Sequence, residues 1–162
     1  MKKIVFITGV CGVGKTSIYE NIKNSDLKHT YNIFDIDMLE NVNDYKDNYD
    51  EFYKSAVDKA IDKSKDKDII LFSCINHNDI SNLKLEDCIT RIVLITCDSE
   101  ELKKRLKDRN NDCSSDEFIN EQIKYQEWFI NNLDYYDSDY NNTDGNIDDI
   151  CDKIIDFLDI FE

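Results

Sequence analysis

The sequence has 162 residues, 41% of them apolar and 11% aromatic, which predicts a globular chain with a single domain over residues 1–162 and excludes general disorder. Its 35 acidic and 20 basic residues give a net charge of −15, which disfavours a nucleic-acid partner because a polyanion would be repelled. No run reaches the roughly 20 apolar residues of a membrane helix, and the six scattered cysteines indicate reduced thiols rather than a zinc site or disulfides, so we expect a cytoplasmic protein without a membrane partner.

Short apolar runs alternate with helical patterns along the chain. The predicted strands are Ile4–Thr8, Asn32–Asp35, Ile69–Cys74, Ile92–Cys97 and, more weakly, Tyr136–Asn141. The predicted helices are Thr16–Asn24, two within the polar stretch Met38–Lys67, Asp98–Arg109, one starting at Ser114 and one from Ile147 to the end. This alternation predicts an α/β fold of three layers, a five-stranded parallel sheet with helices on both faces, whose ligands collect at the carboxyl ends of the strands.

The segment between the first strand and the first helix matches the phosphate-loop pattern G-x-x-x-x-G-K-[ST] at every defined position. It reads Gly9, Val10, Cys11, Gly12, Val13, Gly14, Lys15 and Thr16, followed by Ser17. Glycines let the backbone curl its N–H groups around phosphate oxygens, and the following helix adds partial positive charge. We therefore expect residues 9–17 to bind ATP, with Lys15 at the β- and γ-phosphates and the Thr16 hydroxyl on Mg²⁺.

An acid pair follows twenty residues later, in Phe34-Asp35-Ile36-Asp37. Strand geometry predicts that Asp35 and Asp37 lie on one side at the end of the second strand. In that position Asp35 can hold magnesium and its water shell, while Asp37 can orient an acceptor hydroxyl and take its proton. The alternative is that the two carboxylates only cap a turn.

Two later features bear on the class of phosphate-loop protein. The string Asn76-His77-Asn78-Asp79 lacks the lysine of a guanine-reading N-K-x-D motif and is interpreted as a polar loop. Asp98 ends an apolar strand, as the magnesium-binding acid of a motor ATPase does, but it also begins Asp-Ser-Glu-Glu, which is typical of a helix cap. Both interpretations of Asp98 stay open.

Two of the three arginines in the chain, Arg105 and Arg109, lie four residues apart on one predicted helix and can therefore face one cleft. Guanidinium groups stack on rings and bind phosphates through two parallel hydrogen bonds. The alternative is a solvated helix surface, the interpretation that we prefer for the neighbouring lysines.

These residues resemble, over nearly the whole chain, the small P-loop kinases of the adenylate-kinase and shikimate-kinase type and, more loosely, gluconate and nucleoside kinases. Val5–Thr16 is similar to their first strand and loop, Phe34–Asp37 to their acid pair, Glu101–Arg109 to the helix before their lid, and Asn142–Asp144 to the segment beside the adenine. The resemblance implies that Arg105 lies against the adenine and Arg109 contacts the transferring phosphate. It also implies a short lid at about 110–116 and acceptor-binding helices at about 38–67.

The stretch from Met38 to Thr90 departs from that family because it contains no arginine to bind an anionic acceptor. Its lysines are more typical of solvated surfaces, so the omission favours a neutral hydroxyl acceptor over a nucleotide. His77 or Asn76 is a candidate for the acceptor pocket, and Tyr125, Trp128 and Phe129 are candidates for its wall or for the core. The sequence thus predicts an ATP- and Mg²⁺-dependent kinase, with catalytic Lys15, Asp37 and Arg109, that phosphorylates a nucleotide, nucleoside or other small hydroxyl compound. The alternative is a nucleotide-binding module or slow ATPase that acts by conformational change.

Overall fold

A computed structural model describes residues 1–160. The described chain contains a five-stranded sheet in the order β2-β3-β1-β4-β5, and all four strand pairs are parallel. The strands are β1 (Lys2–Thr8), β2 (Tyr31–Asp35), β3 (Asp68–Ser73), β4 (Cys88–Thr96) and β5 (Ser138–Asn141). The predicted α/β fold is therefore confirmed.

The central strands are buried on both faces of the sheet. Consecutive residues in Ile4–Ile7 and in Ile69–Phe72 are at most 3% exposed, although neighbouring side chains of a strand point to opposite faces. Both faces must therefore be covered, which gives three layers. The edge strand β5 is half exposed, and this explains its weak signal in the sequence.

Six α-helices cover the sheet within the described residues. They are α1 (Lys15–Ile22), α2 (Tyr49–Lys63), α3 (His77–Asn82), α4 (Ser99–Asp108), α5 (Asp116–Asn131) and α6 (Ile147–Asp159). The amphipathic α6 buries Ile150, Cys151, Ile154 and Leu158 and packs against α1. None of the helices within residues 1–160 has the length and apolar character to cross a membrane.

Three sequence-based boundaries were wrong. The stretch Met38–Lys67 contains one α-helix rather than two, because left-handed backbone at Lys46 and Asp47 ends a 3₁₀ turn and α2 begins only afterwards. The supposed polar loop at Asn76 starts α3, a helix too short to show a periodic pattern. The fifth helix is capped by Ser115, whose side chain accepts from the Phe118 N–H, and not by Ser114.

The strand register brings three carboxyl ends together. Thr8 at the end of β1 is paired with Ser73 at the end of β3, and Asp35 at the end of β2 is paired with Phe72. The segments that follow these strands therefore start at one edge of the sheet, where parallel sheets bind their ligands.

Candidate functional site

A cleft of about 1110 Å³ lies at this edge of the sheet. The sequence-predicted site residues that line it are Cys11, Gly12, Gly14, Lys15, Thr16, Ser17, Asp35, Asp37, Arg105 and Arg109. The other predicted loop residues, Gly9, Val10 and Val13, are buried and support the loop from below. The fold thus brings the phosphate loop, the acid pair and the two arginines into one cavity.

The Lys15 side chain curls back over its own loop. Its ammonium group donates to the backbone carbonyls of Gly9 and Val10, the latter at 3.1 Å, and lies 3.1 Å from the Cys74 sulfur at the end of β3. A cation held largely by neutral backbone carbonyls gains from exchanging them for phosphate oxygens, because charge-assisted hydrogen bonds are about twice as strong.

The start of α1 requires a glycine and presents two free hydroxyls. Gly14 has a left-handed φ of 103°, and a Cβ atom there would lie 2.5 Å from the Asn142 amide nitrogen. Thr16 and Ser17 are exposed in the cleft, and neither side chain makes a hydrogen bond within the described residues. The helix therefore opens with unpaired oxygen and N–H groups, as an anion site requires.

The acid pair both caps a turn and lines the cleft. Asp35 ends β2, and its Oδ1 accepts from the Asp37 N–H at 3.0 Å, which fixes the 3₁₀ turn Ile36–Met38. The two carboxylates meet through this turn rather than through strand alternation, since β2 ends at Asp35. Burial at the cleft wall, and then the charge of Asp35, raise the pKa of Asp37, whereas the Lys15 ammonium lowers it. Neither carboxylate has another hydrogen bond in the part of the chain that the structure describes.

Oxygen ligands for magnesium are available between the loop and the acid pair. The Thr16 hydroxyl and the Asp35 carboxylate are of the type that Mg²⁺ prefers, and this ion commonly takes one or two protein ligands and completes its shell with phosphate and water. Asp98 does not line the cleft. It occupies the N-cap position of α4, but its carboxylate accepts from the Asn141 amide at 3.1 Å and not from the helix backbone.

Arg105 ties the loop to the segment before α6. Its guanidinium donates to the carbonyls of Gly12 (3.4 Å), Val13 (3.4 Å), Asn142 (2.6 Å) and Thr143 (3.2 Å) and to the Glu101 carboxylate (3.1 Å). These hydrogen bonds exclude the interpretation of Arg105 as a solvated surface residue. Arg109, at the end of the same helix, is exposed and makes no hydrogen bond or ion pair within residues 1–160, so it is free to move toward an anion.

Asn142 supplies a feature that the sequence did not reveal. It is 1% exposed, its amide nitrogen donates to the Val13 carbonyl at 2.9 Å, and its Oδ1 is buried without a hydrogen-bond partner in the described chain. An unpaired buried acceptor is costly unless a ligand satisfies it. Asn142 also lines the cleft beside the loop, although this oxygen itself is not exposed to it.

The rest of the cleft lining is aromatic and polar and includes one further carboxylate. It contains Tyr49, Phe52 and Tyr53 of α2, Asn76 and Asp79 at the start of α3, and Phe118, Gln122 and Tyr125 of α5. The Tyr125 hydroxyl donates to the Cys74 carbonyl at 2.7 Å. Of the sequence candidates, Asn76 and Tyr125 thus line the cleft, whereas Phe129 belongs to the core and is fully buried.

His77 and Trp128 form a separate aromatic cluster. The His77 ring stacks on Tyr135 and Trp128, with centroid distances of 4.1 and 5.1 Å, and its Nδ1 lies 3.2 Å from the Tyr136 hydroxyl. Burial in this cluster lowers the pKa of His77. Neither His77 nor Trp128 lines the cleft, so the suggestion of an acceptor-binding histidine is wrong.

Cys74 is expected to be the most reactive thiol of the site. A hydrogen bond from the Cys11 thiol, and then the charge of the Lys15 ammonium, lower the pKa of Cys74 against the opposing effect of its burial, whereas burial raises the pKa of Cys88. A lowered pKa keeps the thiolate present as the pH falls. At pH 6.5 we therefore expect iodoacetamide to modify Cys74 about 10-fold faster than Cys88, and ATP to protect Cys74 alone. Peptide mass spectrometry measures both rates, and equal pH profiles for the two cysteines would contradict the assignment.

Comparisons with known proteins identify a family and a fold for this chain. The protein-family model described as AAA domain matches residues 5–127, which is more than half of the chain. The chain belongs to the AAA domain family. A comparison of this chain with curated protein sequences found no match.

Among the solved structures that share the fold of this chain are three kinases. A sugar kinase from Janibacter sp. HTCC2649 has a TM-score of 0.69 and 15% identity, over 99% of this chain and 96% of that chain. Shikimate kinase from Bacteroides thetaiotaomicron has a TM-score of 0.61 and 13% identity, over 96% and 98%. A gluconokinase from Sinorhizobium meliloti 1021 has a TM-score of 0.53 and 16% identity, over 76% and 74%. The resemblance to small P-loop kinases is thus confirmed for the fold.

Proposed function

We propose that this AAA domain is an ATP- and Mg²⁺-dependent kinase that transfers the terminal phosphate to a hydroxyl group of a small molecule. The observation that carries the proposal is the position of Asp37. Its carboxylate lies in the same cleft as the phosphate loop, with a separate aromatic wall beyond it. A nucleotide switch or a motor needs the loop but not an aromatic-lined space for a second molecule beside it.

The residues divide into a donor half and an acceptor half. On the donor side, the loop from Gly9 to Ser17 holds the phosphates, Lys15 exchanges its carbonyl partners for phosphate oxygens, and Asn142 with Arg105 borders the base. Thr16 and Asp35 would hold magnesium, which would neutralise charge on the phosphates.

Transfer then requires positioning and charge stabilisation more than covalent chemistry from the protein. Asp37 orients the acceptor hydroxyl and takes its proton as the new O–P bond forms and the bond to the ADP oxygen breaks. Arg109, which has no partner among the described residues, moves onto the transferring phosphate and stabilises its charge. The short segment at about 110–116, which follows Arg109, is the candidate lid that excludes water.

A panel of acceptors tests the proposal directly. ADP release is measured with ATP and Mg²⁺ alone and after addition of nucleosides, nucleoside monophosphates, sugars, amino alcohols and hydroxy acids. We expect at least one hydroxyl compound to accelerate ADP release about 10-fold or more, with a phosphorylated product visible by mass spectrometry. ATP consumption that no compound accelerates would instead support the second candidate, a slow ATPase with a conformational output.

A further inference from the structure

The acceptor half of the cleft has an unusual charge balance for a kinase site. Three bases line the cleft in the described chain, and all three belong to the donor half: Lys15, Arg105 and Arg109. No lysine from the stretch between Met38 and Thr90 lines it. The carboxylates that do line it are Asp35, Asp37 and Asp79. An anionic group on the acceptor would therefore meet like charges and no compensating cation.

Asp79 is fixed in position and cannot swing away from the cleft. It forms a capping box with Asn76, in which its Oδ2 accepts from the Asn76 N–H at 3.3 Å and the Asn76 side chain accepts from the Asp79 N–H at 2.9 Å. Its other carboxylate oxygen has no hydrogen bond within residues 1–160. Asp79 therefore presents a hydrogen-bond acceptor, held by the start of α3, to whatever occupies this half of the cleft.

Tyr53 supplies a second unpaired group. Its side chain is buried, with 8% exposure for the residue, yet its hydroxyl lines the cleft and makes no hydrogen bond within the described chain. Burial, and then the neighbouring Tyr125 and Asp79, raise the pKa of Tyr53, so the phenol stays protonated and remains a donor. The hydroxyl itself is not enclosed, so it is open to a hydrogen bond with a molecule in the cleft.

The wall between these groups is built from aromatic rings that are tilted to one another. Tyr53 and Phe52 lie with ring centroids 5.5 Å apart, and Tyr125 stands on the facing helix. Aromatic walls of this kind bind rings and apolar carbon skeletons, and their faces also attract cations. Within the described residues this wall carries no positive charge to compensate a carboxylate or a phosphate.

From these observations we infer the chemical class of the acceptor, which rests on the proposed kinase function. The acceptor is a hydroxyl compound without a negative charge, with a ring that packs on Tyr53 and Tyr125 and with hydrogen-bond donors for Asp79. An uncharged nucleoside or an aromatic amino alcohol has these properties. A nucleoside monophosphate, a sugar acid or a hydroxy acid does not.

Matched pairs of acceptors test the inference. In each pair one member carries an anionic group that the other lacks: a nucleoside and its monophosphate, a sugar and its aldonic acid, shikimate methyl ester and shikimate. We expect kcat/KM to be at least 10-fold higher for the uncharged member, a difference that corresponds to about 1.4 kcal/mol. Equal values or a preference for the anion would overturn the inference, while the kinase function itself would stand.

Variants test whether Asp79 causes the preference for uncharged acceptors. Asp79→Asn keeps the shape of the side chain and the capping bond but removes the charge. We therefore expect the preference for uncharged acceptors to fall about 10-fold, because kcat/KM for the anionic member rises. Asp62→Asn, at an exposed aspartate of α2 that does not line the cleft, serves as the matched control and should change the preference less than twofold. Tyr53→Phe is expected to weaken binding of the uncharged acceptor about 10-fold. An Asp79→Asn variant with an unchanged preference would overturn the role of Asp79.

Binding measurements separate failure of the inference from failure of the kinase proposal. Calorimetry with a non-hydrolysable ATP analogue and each matched pair reports affinity without turnover. If no compound accelerates ADP release but the uncharged members still bind more tightly, the kinase proposal fails and the pocket assignment survives. If the uncharged members bind no better than the anions, the assignment is wrong whatever the activity.

Discussion

Replacement of Asp37 by asparagine is expected to lower acceptor-dependent kcat by about 10²- to 10⁴-fold, the usual contribution of a positioned general base. The substitution keeps the size of the side chain and removes only its ability to take a proton. Asp37 has no hydrogen bond through its carboxylate in the described chain, so the fold loses no partner. The turn also survives, because it is the backbone N–H of residue 37 that donates to Asp35.

ATP affinity separates this role from a structural one. Since Asp37 lies on the acceptor side of the phosphates, we expect the dissociation constant of ATP to change less than threefold in Asp37→Asn. Asp44→Asn, at an exposed aspartate in the next 3₁₀ turn, is the matched control and should leave both quantities unchanged. Transfer at the full rate by Asp37→Asn would remove Asp37 from the mechanism.

The fold and the donor side of the site were predictable because their signals are local in sequence. The phosphate loop is one continuous segment between an apolar strand and a helix, so Gly14 and Lys15 were identified from spacing alone. Likewise, the buried strands are recognisable in the sequence as apolar runs, and parallel strands place their carboxyl ends at one edge of the sheet. These features depend on the order of residues more than on packing detail.

The acceptor side was much less predictable, because its groups come from distant segments and are selected by packing. Tyr53 and Asp79 belong to different helices, and no pattern in the sequence distinguishes them from other tyrosines and aspartates. Helix α3 is only six residues long, which is too short to show a helical periodicity in the sequence. His77 was a candidate for the acceptor pocket in the sequence, yet its ring stacks on Trp128 and Tyr135 and does not line the cleft.

The orphan Oδ1 of Asn142 illustrates the same limit on the donor side. The sequence indicated the segment Asn142–Asp144 through a family resemblance, but one buried acceptor atom without a partner is visible only in three dimensions. Gln122 is a similar case, since its side chain accepts from the Cys11 N–H at 3.0 Å and so contacts the loop from α5. Both residues couple the loop to elements more than 100 positions away.

Replacement of Lys15 by alanine is expected to abolish most of the transfer by a different route. The ammonium group is the cation closest to the loop carbonyls, and loss of one preorganised donor at a developing charge typically costs about 10²- to 10³-fold in rate. ATP affinity should fall as well, by about 10-fold or more, because a charged hydrogen bond to phosphate contributes about 1.5–3 kcal/mol. Lys28→Ala, at an exposed lysine outside the cleft, is the matched control.

Cys74 gives the Lys15 prediction a second readout that needs no substrate. Because the Lys15 ammonium lies 3.1 Å from the Cys74 sulfur and lowers its pKa, Lys15→Ala should slow alkylation of Cys74 near neutral pH and leave that of Cys88 unchanged. Asp37→Asn should not slow it, because removal of the nearby carboxylate favours the thiolate. A variant that loses transfer, ATP affinity and the Cys74 thiolate together has lost the cation of the loop, whereas a variant that loses transfer alone has lost the acceptor's base. The two substitutions therefore resolve the donor half of the cleft from the acceptor half.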